Sequence, residues 1–379
     1  MKILIAGVGI RGERLVRSLQ IYDLKVDAFI DNNPEKWNKE IVDGIICFPV
    51  DHFIKEDAKY IVIVSPEEAN ELLCSLKKKY TNVLNLEVTE MILQSAYNVG
   101  YKKFFPVGHF YSLYPDAREI LKKPDYTEMD AECEIKGVNL CKNIQEMYLN
   151  KMINLYPMIP LWKNVGENDP KWRYRIGNPS LSYGDAVGLF CMLNIIKPKR
   201  IIEVGSGYSS AMILDINEYC FAWGCELAFI EPYPELLNSL LKKYDRIHLV
   251  KEKLQTIDLD FFSRLEDGDI LFVDSTHVSK TGSDVNYLFF EIIPRLNPGV
   301  IIHLHDIFYP FEYPHKWLKQ GMVWNELFLL RSFLQYNDNY EILYFQNMIE
   351  KLYKTKLESV WPQKKQTIHG GSFWMRKLR

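Results

Sequence analysis

The sequence predicts an α/β protein with a doubly wound parallel sheet in the C-terminal half and a smaller α/β domain near the N-terminus. Two glycine turns, which begin at Gly7 and Gly205, each lie between an apolar strand and a helix. From Arg200 onward strands and helices alternate steadily, which indicates a parallel sheet with crossover helices. The chain has 379 residues and so exceeds the usual size of one domain.

The N-terminal turn has the spacing of a dinucleotide-binding fingerprint. The strand KILIA leads into Gly7, Gly9 and Gly12, a helix follows, and a second strand ends in Asp31. The pattern stops near residue 90 and resembles the small Rossmann-like modules found at one end of bacterial sugar-modifying enzymes. Two interpretations stay open. The four residues bind NAD, a nucleotide or a nucleotide-linked sugar, or the module serves docking and its glycines serve packing.

The middle of the chain lacks a strong hydrophobic periodicity and contains many prolines. We predict a linker and helical cover over 96–180, between a first domain at 1–95 and a C-terminal domain at 181–379. Several residues near its end are candidate walls of a substrate pocket: Trp162, Trp172, Arg173, Tyr174, Arg175, Tyr183 and Asp185. For each of them a packed or solvated role is the alternative, and Asp185 is also placed to cap or charge the helix that starts there.

The second glycine turn is predicted to hold a cofactor. Glu203 lies near the end of an apolar strand, and Gly205, Ser206 and Gly207 follow it, where a helix N-terminus favours an anionic group. The next strand ends in Glu231, which is placed to accept hydrogen bonds from ribose hydroxyls. These residues resemble those of a class I S-adenosylmethionine-dependent methyltransferase. The resemblance implies that the turn holds the methionine end of the cofactor and that Glu231 holds its ribose. Any doubly wound nucleotide-binding domain is the alternative.

Two later strands end in residues that suit metal binding and acid–base chemistry. Asp274 ends one strand with His277 three residues on, and the other strand is followed by His305 and Asp306. Because ligands bind outside the carboxyl ends of parallel strands, we expect Glu203, Asp274 and Asp306 on one rim. Neighbouring carboxylates repel unless a positive charge lies between them, so a divalent cation is predicted.

The sequence FVDSTH, together with the histidine–acid pair after the next strand, resembles metal-dependent O-methyltransferases that act on sugar hydroxyls of natural products. The resemblance implies that Asp274 and Asp306 bind Mg²⁺, that Asp274 also borders the cofactor, and that His277 is the general base. This chain has His305 where such relatives often have a second acid. Imidazole is a poor Mg²⁺ ligand, so a weaker site, Mn²⁺ or no metal stay open. Capping by the two acids and a surface position for His277 are the structural alternatives. The alternation of a strand turns His303 away from Asp306.

The amino-acid composition limits the classes of partner that the protein is expected to bind. The net charge of −3 shows no electrostatic footprint for nucleic acid or an anionic membrane, so a small molecule or glycan is expected. Seven cysteines without zinc spacing indicate reduced thiols. The sequence has no apolar run of membrane-spanning length, and we predict a cytoplasmic protein without membrane insertion. A homo-oligomer is left open.

These patterns predict an S-adenosylmethionine-dependent methyltransferase that acts on a sugar hydroxyl with Mg²⁺ or Mn²⁺ and a histidine base. Three alternatives remain. In the first, the protein is a methyltransferase whose acceptor is not a sugar. In the second, it is an NAD- or nucleotide-dependent sugar-modifying enzyme that works through its N-terminal turn. In the third, it is a non-catalytic scaffold.

Overall fold

The computed structural model describes residues 2–20, 24–64, 70–85, 108–129, 132–363 and 365–379. The chain divides into two compact units, Met1–Pro106 and Val107–Arg379, called here the N-terminal unit and the C-terminal unit. Both are α/β, which confirms the predicted fold class. None of the described helices combines the length and apolar character needed to cross a membrane.

The N-terminal unit contains a six-stranded sheet. Its strands are β1 (Lys2–Ala6), β2 (Val26–Asp31), β3 (Glu40–Val42), β4 (Ile45–Pro49), β5 (Tyr60–Val64) and β6 (Val83–Asn85). Their order is β3-β4-β2-β1-β5-β6, and only β3 pairs in the antiparallel sense. The described helices are α1 (Ile10–Gln20) and α2 (Asn70–Lys77), with 3₁₀ turns at Pro34–Lys36 and Ile54–Lys59.

Both faces of this sheet are buried. Along β1, Ile3 and Ile5 join one apolar cluster, whereas Leu4 and Ala6 join another. Successive side chains of a strand point to opposite faces, so two cores on one strand mean that the sheet is covered on both sides. This is a doubly wound arrangement, and it agrees with the smaller α/β domain that the N-terminal sequence predicts.

The C-terminal unit contains a seven-stranded sheet. Its strands are β7 (Arg200–Val204), β8 (Glu226–Ile230), β9 (His248–Val250), β10 (Ile270–Val273), β11 (Ile301–Leu304), β12 (Tyr340–Phe345) and β13 (Phe373–Lys377). Their order is β12-β13-β11-β10-β7-β8-β9, and β13 is antiparallel to both of its neighbours. The closing stretch IHGGSFWMRKL contains that antiparallel last strand.

Helices cover the C-terminal sheet. The described helices are α3 (Ala117–Ile120), α4 (Lys142–Leu155), α5 (Tyr183–Ile196), α6 (Tyr208–Tyr219), α7 (Glu235–Leu240), α8 (Asp260–Ser263), α9 (Asp284–Tyr287), α10 (Ile293–Arg295), α11 (His315–Lys319), α12 (Glu326–Leu334), α13 (Gln346–Leu352) and α14 (Lys354–Val360). A π-helical turn at Leu288–Ile292 lies between α9 and α10, and 3₁₀ turns occur at Tyr156–Met158 and Leu254–Thr256.

The segment before the C-terminal sheet contributes side chains to that unit's core. Tyr148 and Met152 of α4 are buried in the same cluster as the sheet residues. Gln145 is fully buried and accepts a hydrogen bond from the backbone N–H of Phe345, at 2.8 Å. Burial of one helical face therefore attaches this segment to the sheet, although its sequence shows only a weak helical period.

Four of the candidate pocket walls have structural roles instead. Trp162, Tyr174 and Tyr183 are buried and pack edge to face around the Trp162 ring. The Arg173 guanidinium is buried between Asp215, Glu218 and Asp245, and its contacts with Asp215 and Glu218 measure 2.8 and 2.7 Å. The sequence of an aromatic and basic stretch does not show whether its side chains pack inward or face a ligand.

The pairing register of three strands brings the functional residues to one rim of the C-terminal sheet. Val273 pairs with Val204 on one side and with Leu304 on the other. The ladder continues one residue further, since the Asp274 N–H donates to Val204 and the His305 N–H donates to Val273, at 2.9 and 3.0 Å. The residues after β7, β10 and β11 therefore leave the sheet side by side.

Glu350 of α13 is a buried acid beside the last strand. Its carboxylate accepts from Gln346 Nε2 at 3.0 Å and from the Gly370 N–H at 3.3 Å. Burial raises the pKa of Glu350 to about 7, and this increase outweighs the lowering by hydrogen bonds from His369 and Gln346. The folded protein thus favours the protonated form of this side chain.

We predict that Glu350 makes stability depend on pH. A carboxyl group whose folded pKa is raised contributes stability that is complete below its unfolded pKa of 4.5 and is lost as the pH rises to about 7. The loss amounts to at most about 3 kcal/mol. Glu350→Gln removes this dependence, so its stability relative to wild type should increase from pH 5 to pH 8. Urea unfolding followed by tryptophan fluorescence measures this, with exposed Glu291→Gln as the control, and parallel pH profiles for wild type and Glu350→Gln would contradict it.

Candidate functional site

The predicted metal ligands lie together at the rim. One ligand atom from each of Asp274, His305 and Asp306 lies within 4.8 Å of the other two. His305 Nδ1 is 3.3 Å from Asp306 Oδ1 and 3.8 Å from Asp274 Oδ1. The two carboxylates are partly exposed, whereas His305 is buried. Two carboxylates and one imidazole form a donor set that suits Mn²⁺ better than Mg²⁺.

The second ring nitrogen of His305 faces another carboxylate. His305 Nε2 lies 3.6 Å from Asp185 Oδ2. Asp185 is buried in the first turn of α5, where it accepts from Ser182 Oγ at 2.7 Å and from the Gly371 N–H at 2.9 Å. Metal-binding histidines commonly direct their other nitrogen to a carboxylate in this way. Asp185 therefore orients His305, a role that its sequence position did not indicate.

His277 is placed in the same manner from the opposite side. Its Nε2 lies 3.4 Å from Asp274 Oδ1 and 3.5 Å from Asp306 Oδ2, and its Nδ1 lies 2.8 Å from Glu326 Oε2. The ring is buried against Trp324, with ring centroids 4.4 Å apart. This burial rules out the alternative of a surface histidine.

Backbone strain accompanies this arrangement. His277 and Asp306 have φ values of +58° and +60°, a region that residues other than glycine rarely adopt. Such conformations persist where the surrounding structure enforces them, and they cluster at functional sites. Here two backbone N–H groups at the start of α12, those of Asn325 and Glu326, hold the His277 carbonyl at 3.1 and 3.2 Å.

The charged groups of the cluster stabilise one another's ionised forms. Burial lowers the pKa of His277, but hydrogen bonds to Asp274 and Glu326 outweigh burial and raise it to about 10. Burial acts likewise on His305, and the charges of Asp306, Asp274 and Asp185 raise its pKa well above the usual value. Burial raises the pKa of Asp274, but the two histidines lower it to about 2. Either imidazolium rings or a cation can thus supply the positive charge that the carboxylates require.

The glycine turn after β7 provides unsatisfied polar atoms. Glu203 Oε1 and the hydroxyl oxygens of Ser206 and Ser275 are buried, and none of them has a hydrogen-bond partner within the described part of the chain. Burial raises the pKa of Glu203 to about 8, and Ser210 donates a hydrogen bond to its other oxygen. Buried polar atoms are normally satisfied, so these atoms fit a polar cofactor at the turn.

The turn itself requires glycine. Gly205 has φ +79°, and a Cβ at this position would lie 1.8 Å from the Asp274 carbonyl oxygen. The Glu231 carboxylate lies against the turn, accepting from the Ser206 N–H at 3.1 Å and from the Tyr233 N–H at 2.8 Å. Helix α6 begins directly after Gly207, which is its N-cap residue. The predicted cofactor residues are therefore neighbours around one turn.

The N-terminal glycine turn has a different environment. A Cβ at Gly12 would lie 2.5 Å from the Gly7 carbonyl oxygen, so Gly12 permits close packing of α1 on the turn. Asp31 accepts from the Val8 N–H at 2.9 Å, and Lys36 Nζ lies 3.2 Å from the same carboxylate oxygen. Binding of NAD or a nucleotide through Gly7, Gly9, Gly12 and Asp31 stays a prediction.

A family model described as a methyltransferase domain matches residues 202–307, which span the glycine turn and the rim cluster. Residues 202–307 thus form a methyltransferase domain, and the chain is an S-adenosylmethionine-dependent methyltransferase. The methyltransferase is 32% identical over 170 residues to an uncharacterized protein of Archaeoglobus fulgidus, a match that covers 44% of this chain and 76% of that protein.

Two solved structures are also similar to the methyltransferase. The SAH-bound methyltransferase of Podospora anserina is 17% identical, with a TM-score of 0.33 over 51% of this chain and 78% of that one. The O-methyltransferase of Bacillus cereus in complex with SAH is 13% identical, with a TM-score of 0.32 over 62% of this chain and 91% of that one.

Two residues of the site escaped the sequence analysis. Glu326 and Trp324 contact the His277 ring although they are 49 and 47 residues further along the chain. They stand in the stretch VWNELF, whose composition is that of an ordinary amphipathic helix start. No motif marks them, because the contact arises only from the folding of α12 against the loop after β10.

We predict that Glu231 contributes to cofactor binding. Its carboxylate is the acceptor at the turn, and a hydrogen bond to a charged group contributes about 1.5–3 kcal/mol, or roughly 10- to 100-fold in affinity. Calorimetric titration with SAH should therefore show one-to-one binding that weakens by this factor in Glu231→Ala. Glu291→Ala removes an exposed carboxylate of the same unit and should bind as wild type does. Equal affinities for Glu231→Ala and wild type would contradict the assignment.

Proposed function

We propose that this methyltransferase methylates a hydroxyl group of a sugar, with a divalent cation held by Asp274, His305 and Asp306 and with His277 as the general base. One observation carries the proposal. Each histidine directs one nitrogen to the Asp274–Asp306 pair and its other nitrogen to a buried carboxylate, Glu326 for His277 and Asp185 for His305.

The two histidines have different tasks in this proposal. His305 Nδ1 belongs to the compact set of ligand atoms, so His305 completes the cation site with Asp274 and Asp306. His277 lies outside that set, and its Nε2 faces the carboxylates from the other side at 3.4 and 3.5 Å. An acceptor hydroxyl that reaches the carboxylate pair therefore also reaches His277.

The reaction requires an oriented acceptor and a place for its proton. S-adenosylmethionine supplies an electrophilic methyl group, whose bond to sulfur breaks as the new bond to the acceptor oxygen forms. A divalent cation supplies Lewis acidity that lowers the pKa of an acceptor hydroxyl. Glu203, Ser206 and Glu231 hold the cofactor at the turn, and Asp274 lies between the turn and the cation site.

His277 takes the hydroxyl proton on Nε2. Glu326 accepts from Nδ1–H, which leaves Nε2 as the acceptor and stabilises the imidazolium that forms. The neutral ring needs positive charge at Asp274 and Asp306, because these carboxylates otherwise hold a proton on Nε2. Cation binding and base function are therefore coupled in this proposal.

A sugar acceptor is supported by the sequence resemblance and by the chemistry of the site. Adjacent hydroxyls of a sugar offer two oxygen ligands to one cation, and hard divalent cations prefer oxygen. A methyltransferase with a non-sugar acceptor is the second candidate for the same residues, and turnover of catechols or amines but not sugars would favour it.

His277→Ala should lower kcat by about 100- to 10,000-fold, the usual contribution of a general base. SAH affinity should stay at the wild-type value, because His277 does not contact the glycine turn. SAH release with a panel of sugars measures turnover, and His248→Ala, which removes an exposed histidine of the same unit, is the matched control. Unchanged kcat across pH 6–9 would contradict the base role.

The cation site can be tested without turnover. After a chelator has removed any bound metal, we expect the protein to bind one Mn²⁺ per chain in electron paramagnetic resonance titrations. Asp306→Asn should weaken this binding by tenfold or more, since it removes one of two anionic ligands. Asp258→Asn changes an exposed acid and is the control. Full activity after exhaustive chelation, or equal Mn²⁺ binding by both variants, would remove the metal from the mechanism.

A further inference from the structure

A cavity of about 890 Å³ lies beside the rim cluster within the C-terminal unit. Trp324 lines this cavity and also contacts the His277 ring. Val278 and Ser279, the next two residues after His277, line it as well. Its volume falls in the range of small-molecule sites, which is roughly 300–1,000 Å³. The cavity is therefore the right size and in the right place to receive a molecule that reacts next to His277.

Aromatic rings form one side of the cavity. The Tyr313 ring stands nearly perpendicular to Trp324 and to Phe328, with centroids 6.1 and 6.0 Å apart. The Tyr313 hydroxyl is held in place by the backbone N–H of Leu327 at 3.4 Å. These contacts fix the rings before a ligand arrives. Tyr313 itself is buried, so Trp324 and the exposed Phe328 offer the apolar surface against which the C–H face of a pyranose can pack.

Glu312 supplies the polar side. It lines the cavity next to Tyr313 in the loop after β11 and is only partly exposed. Burial raises the pKa of Glu312, and within the described residues no hydrogen bond reaches its carboxylate. A partly buried carboxylate without donors is unfavourable, and hydroxyl groups of a ligand would satisfy it.

The charges of the cavity argue against a cationic acceptor. Lys123, Lys280, His315 and Asp125 also line it, and Arg331, Lys123 and His315 act electrostatically on Glu312. Aromatic cages select quaternary or primary ammonium groups when the surrounding charge is negative. Here Lys123 and Lys280 offset the carboxylates of Asp125 and Glu312, so the cavity lacks the net negative charge that selects an ammonium group, and a neutral ring with several hydroxyls fits it better.

We propose that the acceptor binds in this cavity as a hydroxyl-rich, non-cationic sugar ring, with its apolar face on Trp324 and Phe328 and with hydroxyls donating to Glu312. This inference rests on the proposed function, since it assigns the acceptor site of that reaction. Glu312 is then a specificity-determining residue that contacts the sugar away from the reacting oxygen.

The test uses the full-length protein with S-adenosylmethionine and Mn²⁺ and measures SAH release. The probes are methyl glycosides of hexoses and 6-deoxyhexoses, and the same sugars linked to UDP and TDP. For the best acceptor, Glu312→Gln should raise KM about tenfold or more, because the neutral amide is a weaker acceptor than the carboxylate. The value of kcat should change less than threefold, and SAH affinity should not change. Glu291→Gln is the control for removal of an exposed carboxylate.

The outcomes separate this inference from the proposed function. Sugar turnover with an unchanged KM in Glu312→Gln would overturn the acceptor site and leave the function standing. SAH binding with turnover of amines or catechols, or with no turnover of any sugar in the panel, would overturn the sugar acceptor of the proposed function and, with it, this inference. Absence of SAH binding by the wild type would refute the proposed function itself. A misfolded Glu312→Gln protein would reveal itself by lost SAH affinity, and Glu312→Asp would then replace it, with the same expected rise in KM.

Discussion

The candidate site depends on two carboxylates, Asp274 and Asp306, that stand side by side at the ends of neighbouring strands. Their mutual repulsion requires positive charge between or beside them. Two buried histidines approach the pair from different directions, and each is held by a further buried acid. Removing any one member would leave a buried charge uncompensated, so the cluster is expected to hold together as a unit.

The fold supports this cluster with tight backbone geometry. Parallel pairing of β7, β10 and β11 sets the carboxyl ends of the strands at one level. Gly205 allows the turn to approach the Asp274 carbonyl, and Gly371 lies close to the Asp306 backbone, where a Cβ would come within 3.0 Å of its Cα. Left-handed conformations at His277 and Asp306 then direct both side chains to the same point. The geometry of the site thus depends on locally strained backbone and on two glycines.

The acceptor cavity and the rim cluster share one wall. Trp324 and Glu326 are separated by one residue at the start of α12, so the same helix start orients His277 and lines the cavity. The loop after β11 contributes in the same way, since Asp306 belongs to the cluster and Glu312 to the cavity. Under the proposed function, a substrate that moves either segment acts on both the base and the cation ligands and so couples acceptor binding to the chemical step.

The sequence alone determined the fold class, the glycine turn and the acids at the strand ends. Strand periodicity and glycine spacing are local properties, and strands of one parallel sheet must present their carboxyl ends on one rim. Tertiary structure decided the rest. Glu326, Asp185 and Glu312 acquire their roles through contacts between segments far apart in the chain, and Trp162, Arg173 and Tyr174 turn inward because their segment packs on the sheet. No local pattern distinguishes a carboxylate that orients a histidine from one that faces solvent, since burial and partners are set only when the chain closes.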